Sequence, residues 1–195
     1  MSLRAGVVGV QGDVSEHADA IDRAAAEHGR EVTVDTVRRA GVVPDCDLLS
    51  VPGGESTTIS RLLAEEGIAE EVVDHVAAGK PLLATCAGLI IAARTANDDQ
   101  VDTLSVLDVS VDRNAFGRQR DSFEADLPVA GLETPFHAVF IRAPVVESVG
   151  EDVAVLARVD GDPVAVREGP VVGTAFHPEL TDDHRLHELA FFDDD

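Results

Sequence analysis

The chain predicts a three-layer α/β sandwich around a mostly parallel central sheet, and three observations lead there. Short, nearly continuous apolar runs such as Leu3 to Val10 and Leu82 to Thr85 read as strands buried on both faces. Stretches with helical apolar spacing alternate with them. Glycine and proline punctuate the junctions, as at Gly29, Pro52-Gly53-Gly54 and Gly79-Lys80-Pro81.

Taken in order, the strand from Leu3 is followed by a capping-box pattern at Asp13 to Glu16. Ala18, Ile21, Ala24 and Ala25 then form a helical apolar face through about His28. Val32, Val34 and Val37 predict a second strand, and Asp47 to Val51 a third. Helices are expected over Thr57 to Glu66 and Ala69 to Ala78, a strand over Leu82 to Thr85 and a helix over Ala87 to Ala96. The second half changes character. Leu104 to Arg113, Ser122 to Leu127, His137 to Ala143, Val153 to Val159, Val164 to Arg167 and Val171 to Phe176 are short strand-like runs that extend the sheet or add antiparallel strands. Thr181, with Asp182 and Asp183, is expected to cap a last helix reaching about Phe191. No repeat, low-complexity linker or composition break divides the chain, so residues 1–195 are read as one domain.

The length of 195 residues suffices for a sizeable core, and the hydrophobic share of 45% is ordinary for a globular protein. No apolar stretch approaches the roughly 20 residues of a membrane span. Met1-Ser2-Leu3-Arg4 runs straight into the first strand without a signal-peptide layout, so a cytoplasmic location is expected. Lys plus Arg total 15 against 37 for Asp plus Glu, a net charge of −22, and Lys80 is the single lysine. Such a surface repels nucleic-acid phosphates and anionic membranes, which argues against both as partners. It also fits adaptation to high salt, where dense self-repulsion is screened. The expectation is that millimolar salt loosens the fold; an equal thermal midpoint in low and molar salt would refute it. Cys46 and Cys86 form no CxxC and no paired Cys/His spacing, which argues against a zinc site or disulfide framework.

Cys86 stands where the strand Leu82 to Thr85 meets the following helix, in Ala84-Thr85-Cys86-Ala87-Gly88. A sharp strand-to-helix turn there would lift its side chain above the sheet edge as a nucleophile elbow, facing free N–H groups that favour a thiolate. A buried structural cysteine is the plainer alternative. His177 ends an apolar run, at the strand end where open α/β sheets place their sites. Glu179 lies two residues on, so an extended segment would let its carboxylate hold one imidazole tautomer. An ordinary surface pair is the alternative. Pro52-Gly53-Gly54-Glu55-Ser56-Thr57 follows a strand, and its paired glycines free backbone N–H groups for an oxyanion. A turn capped by Ser56 or Thr57 is the alternative, and no Lys-Ser/Thr ending supports a P-loop. His17, His28, His75, His137, His184 and His187 fall mostly on polar helix faces and read as ordinary. Cys46, flanked by Asp45 and Asp47, reads as structural, with the aspartates raising its pKa.

Gly53-Gly54-Glu55-Ser56-Thr57-Thr58, Thr85-Cys86-Ala87-Gly88-Leu89-Ile90 and Phe176-His177-Pro178-Glu179-Leu180 together resemble the class I (triad) glutamine amidotransferases, with their flavodoxin-like sheet. Gly9-Val10-Gln11-Gly12, Arg113-Asn114, Phe116-Gly117-Arg118-Gln119, Asp121-Ser122-Phe123-Glu124 and Phe140-Ile141-Arg142-Ala143-Pro144 narrow the resemblance. They are similar to the glutaminase subunit of the ribose-5-phosphate-dependent pyridoxal 5′-phosphate synthase. The resemblance runs from about residue 4 to residue 190.

It implies that Cys86 is the nucleophile, His177 the general base and acid, and Glu179 its orienting partner. Gly54 and Ala87 would supply oxyanion N–H groups. Gly54, Glu55, Ser56, Arg113, Ile141 and Arg142 would line the L-glutamine pocket, and Gln11 would lie near the partner interface. The activity implied is hydrolysis of L-glutamine to L-glutamate and ammonia through a glutamyl thioester, with no cofactor or metal. Ammonia would pass to a synthase (lyase) subunit in a hetero-oligomeric complex for vitamin B6 biosynthesis. The alternatives are the glutaminase subunit of another amidotransferase, a cysteine hydrolase of similar topology, or a catalytically silent scaffold. Two departures stand out: Ala84 where relatives commonly have glycine, which would be strained at a positive φ, and Ala115 where serine is common. Arg120 is a third, more charged than expected.

Overall fold

The computed structural model describes residues 2–12, 14–113 and 122–193. The predicted alternation is present. Strand β1 (Leu3–Val8) leads to helix α1 (Ser15–Glu27), then β2 (Val32–Val37) and β3 (Leu48–Val51). Helices α2 (Ser56–Glu65) and α3 (Ile68–Ala77) precede β4 (Leu82–Thr85) and α4 (Ala87–Ala92). The second half carries β5 (Ala93–Thr95), β6 (Leu107–Asp112), β7 (Ser122–Leu127), β8 (Phe136–Ile141) and β9 (Val145–Val149). It closes with β10 (Ala154–Val159), β11 (Asp162–Glu168), β12 (Val171–Thr174) and α5 (Arg185–Phe191).

The main sheet has seven strands in the order β10-β11-β12-β4-β3-β1-β2. From β12 to β2 every pairing is parallel, whereas β10 and β11 join antiparallel. The central strands β3, β4 and β12 are buried at every residue, because helices cover both faces. Helices α1 and α5 pack together on one face; α2, α3 and α4 pack on the other. Of the remaining strands, β5-β6-β9 form one small sheet and β7-β8 an antiparallel hairpin.

That hairpin is pinned to the main sheet by phenylalanine. Phe136, Phe140 and Phe176 are all essentially unexposed, and Phe140 lies 5.4 Å from Phe176 between ring centroids. Each buried ring contributes about 1.5–3 kcal/mol by area. The chain has no Trp or Tyr, so these rings are the largest anchors it has. They hold the backbone beside residue 177, whose N–H donates to the carbonyl of Val139 at 2.9 Å.

Several sequence expectations need correction. The helix after Cys86 stops at Ala92, not Ala96, because Leu104, Val106 and Ser105 donate N–H groups to the carbonyls of Ile91, Ala92 and Ala93 and draw the chain into β5. β9 was not foreseen; Glu147 and Ser148 break its apolar pattern. Thr181 does not cap helix α5, which begins only at Arg185 after His184, and the Asp183 carboxylate accepts the Arg185 N–H at 3.1 Å. Helix α1 starts after Val14, which makes no side-chain cap bond; Asp13, the expected cap, lies outside the described residues. No helix among the described residues is long and apolar enough to cross a membrane.

Candidate active site

Cys86 occupies the junction of β4 and α4 with φ 51° and ψ −109°, a conformation that costs a non-glycine residue on the order of 1–3 kcal/mol. The turn is held on both sides. The Cys86 N–H donates to the Thr174 carbonyl at 2.8 Å, and its carbonyl accepts from Ile90 to open the helix. A methyl at Gly88 would run into the Val51 carbonyl, so only glycine lets α4 start this close to β3. Ala84 is extended in β4, paired with Val51 and Gly173, and is not among the positive-φ residues. Alanine in place of glycine is therefore unstrained there. Ala115 and Arg120, with Asn114, Phe116 to Gln119 and Asp121, lie outside the described residues.

His177 leaves the end of β12 and meets Cys86 across the sheet edge. Its Nδ1 lies 2.7 Å from Glu179 Oε1, which sets the opposite ring nitrogen free for the thiol. Burial pushes the imidazole down, but hydrogen bonding and charge from Cys86 and Glu179 outweigh it and raise the pKa to about 10. Glu179 is pushed up by burial and then held well below the usual carboxylate range by His17 and His177. The arrangement favours an imidazolium at His177 with the carboxylate of Glu179 behind it. Gly53 sits against this pair: a methyl there would lie 2.7 Å from His177 Cε1 and 3.3 Å from Cys86 Cβ.

The loop 52–57 is shaped from two directions. Gly54 has φ 148°, and a methyl on it would meet Ile59 and the Gln11 side chain. Gln11 Oε1 accepts the Glu55 N–H at 2.7 Å, tying the end of β1 to the glycine loop. The cap of α2 is Glu55, and neither Ser56 nor Thr57. Its carboxylate accepts from the N–H and hydroxyl groups of Thr57 and Thr58, which lower its pKa to about 2. Glu55 Oε1 also lies 3.5 Å from Arg113, whose other nitrogen is 2.7 Å from Asp98. Asp98 carried no sequence signal. Ser56 is buried at the start of α2. The Cys86 thiol points at the Ile141 carbonyl at 3.9 Å, and Arg142 follows with φ 44°.

The structure thus brings Cys86, His177, Glu179, the Gly53-Gly54 turn and Ile141 together, with Glu55 and Arg113 joined to the same loop. Ala87 opens α4, whose first N–H groups have no helical partner. Among the described residues no His/Cys/Asp/Glu group could hold a metal ion. His17 and His187 correct the sequence reading: both are completely buried behind Glu179, not on polar helix faces. The signal was present in the spacing, since His17 continues the stripe of Ala20, Ile21 and Ala24.

Comparison with known proteins shows the family. The model of the SNO glutamine amidotransferase family matches residues 7–193. A protein of Haloarcula marismortui named pyridoxal 5′-phosphate synthase subunit PdxT is 71% identical, the alignment covering 99% of this chain and 98% of that one. A Methanosarcina mazei protein of the same name is 52% identical, over 95% and 96% of the two chains. A crystal structure described as glutamine amidotransferase superposes with a TM-score of 0.85 at 47% identity, covering 95% of this chain and 96% of that one. A Thermotoga maritima glutamine amidotransferase, at 13% identity and a TM-score of 0.58 over 97% and 90% of the chains, shares the fold. The chain belongs to the SNO glutamine amidotransferase family.

Proposed function

We propose that this chain hydrolyses L-glutamine to L-glutamate and ammonia, as the glutaminase subunit of a pyridoxal 5′-phosphate synthase. The observation that carries the reading is the strained Cys86 elbow with His177 and Glu179 in line behind it. The relatives named PdxT, alike over nearly the whole chain, support the subunit assignment.

The Cys86 thiolate attacks the side-chain amide carbon of glutamine. The developing oxyanion takes N–H donors from Ala87 and the Gly54 turn, each such donor being worth roughly 3–4 kcal/mol in related chemistry. His177, held protonated by Glu179, gives its proton to the departing ammonia and leaves a γ-glutamyl thioester. The imidazole then takes a proton from water, which attacks the thioester and releases glutamate and the thiolate. No step calls on a metal or organic cofactor. Arg113 is a cation suited to the glutamine α-carboxylate, with Glu55, Ser56, Ile141 and Arg142 around the same loop.

Ammonia released into water near neutral pH is largely protonated and not nucleophilic, which favours delivery to a docked synthase subunit. The hydrogen bond from the Glu55 N–H to Gln11 supports a role for Gln11 in carrying that docking to the oxyanion turn. The test is glutamate release from glutamine with and without the synthase subunit, beside Cys86→Ala. Release that requires both partner and Cys86 supports the assignment. Release without a partner removes the gated-subunit reading, and none under any condition removes the glutaminase.

A further inference from the structure

The buried histidines behind Glu179 have no place in the reaction as written. His17, on α1, is unexposed, and its Nε2 lies 3.4 Å from Glu179 Oε2 and 3.3 Å from the Thr85 hydroxyl. Its Nδ1 faces the Ser50 hydroxyl at 3.3 Å and His187 Nε2 at 3.4 Å. At 3.4 Å the contact to Glu179 is long for a hydrogen bond, yet Oε2 is buried with no closer partner among the described residues. A buried carboxylate oxygen left bare is costly, so the one nitrogen facing it matters.

We infer that His17 is a positioning residue: its Nε2–H holds the second oxygen of Glu179, so that the first stays aimed at His177. The proton order follows from the partners. His187 Nε2–H donates to His17 Nδ1, because His187 is buried and its Nδ1 has no partner among the described residues. His17 then carries its own proton on Nε2, toward Glu179 and Thr85. The line runs His187, His17, Glu179, His177, Cys86. A core histidine satisfied by any polar neighbour would serve equally well facing Ser50 alone; facing the orphan oxygen of the carboxylate is what singles His17 out. It spans the chain, since α1 begins just after Gln11 and Glu179 lies near the C-terminus.

The inference rests on the glutaminase reading, and its test separates the two. His17→Gln places an amide nitrogen where Nε2 stands, whereas His17→Asn places one where Nδ1 stands and leaves Glu179 bare. Glutamate release is measured with the synthase subunit present, for both variants, for Glu179→Ala, and for His17→Asn combined with Glu179→Ala. Thermal transitions are recorded for all. His17→Asn should lower kcat by about 10–100-fold with KM changed by less than about twofold, and His17→Gln should recover to within about threefold. The double variant should match Glu179→Ala, since one residue acts through the other. Equal losses in the Asn and Gln variants, or additive losses in the double variant, would overturn the inference and leave the glutaminase standing. Wild-type kcat in Glu179→Ala would overturn the inference, since His17 would then have no catalytic carboxylate to act through, whereas no glutamate release by the wild-type complex would overturn the glutaminase reading instead.

Discussion

The two cysteines mark opposite rims of the same sheet and make a controlled comparison. Cys46 precedes β3 at one rim and Cys86 follows β4 at the other, with exposures of 0% and 8%. Burial does not separate them; their partners do. Cys46 is extended, with φ −83° and ψ 141°, and its thiol donates to the Val42 carbonyl at 3.4 Å. Burial raises its pKa first, while Asp35 and Asp45 add less, so the flanking-aspartate account from the sequence names a lesser cause and includes Asp47, which has no part. Cys86 instead sits at a positive φ with an imidazolium partner. Two thiols with similar burial are thereby assigned opposite chemistry.

The sharpest way to break the comparison is to remove each thiol. Cys86→Ala should lower glutaminase kcat by about 10³-fold or more, and Cys46→Ala should leave it within about twofold, by steady-state glutamate release. Equal losses would mean that the two rims are not chemically distinct. Next, Gly53→Ala presses a methyl on the His177 ring without requiring a positive φ. It should cost about 100-fold in kcat/KM with a thermal midpoint changed by only a few degrees, as expected of a displacement near 1 Å.

The third test concerns stability against pH. His187 is buried, and desolvation with the nearby His17 lowers its pKa to about 3, against about 6.5 in the unfolded chain. Between those values the unfolded state binds the extra proton, so stability falls as pH drops from about 6.5, by at most roughly 1.4 kcal/mol per unit. Glu179, held low, adds the same sign below about pH 4.5, where the unfolded carboxylate takes up its proton. His177 works in the other direction: its contribution is full below about 6.5 and is lost as pH rises toward about 10. Chemical denaturation should therefore show greatest stability near neutrality, and His187→Leu should flatten the acid limb. An unchanged acid slope in that variant would show that His187 is not held neutral. The smallest effect is expected at the inert rim, where Cys46→Ala should cost about 1 kcal/mol, or about 2–4 °C in midpoint.

Much of the reactive rim was legible from local pattern. The run Leu82 to Thr85 ends at Cys86 because the strand does, and the helix follows at once. His177 was placed by the same reasoning at the end of β12. The acid at Glu179 came from spacing, although the route is a tight 3-10 turn at Pro178–Leu180 instead of an extended segment. What local pattern missed shares one cause, dependence on residues far along the chain. The early end of α4 depends on Leu104 to Val106, Asp98 meets Arg113 through side chains alone, and His17 meets Glu179 from the other end of the molecule.

By itself the sequence determined the alternating strands and helices of the first half up to Cys86, and which residues stand at the strand ends, because apolar period and glycine punctuation act over a few residues. Its composition determined the net charge of −22. Only the tertiary structure decided which thiol has an imidazole beside it, that Ala84 needs no glycine, and that two histidines the sequence reads as ordinary stand behind the triad. Those outcomes depend on sheet order and on the packing of α1 and α5 over it, which bring together groups that no local window contains.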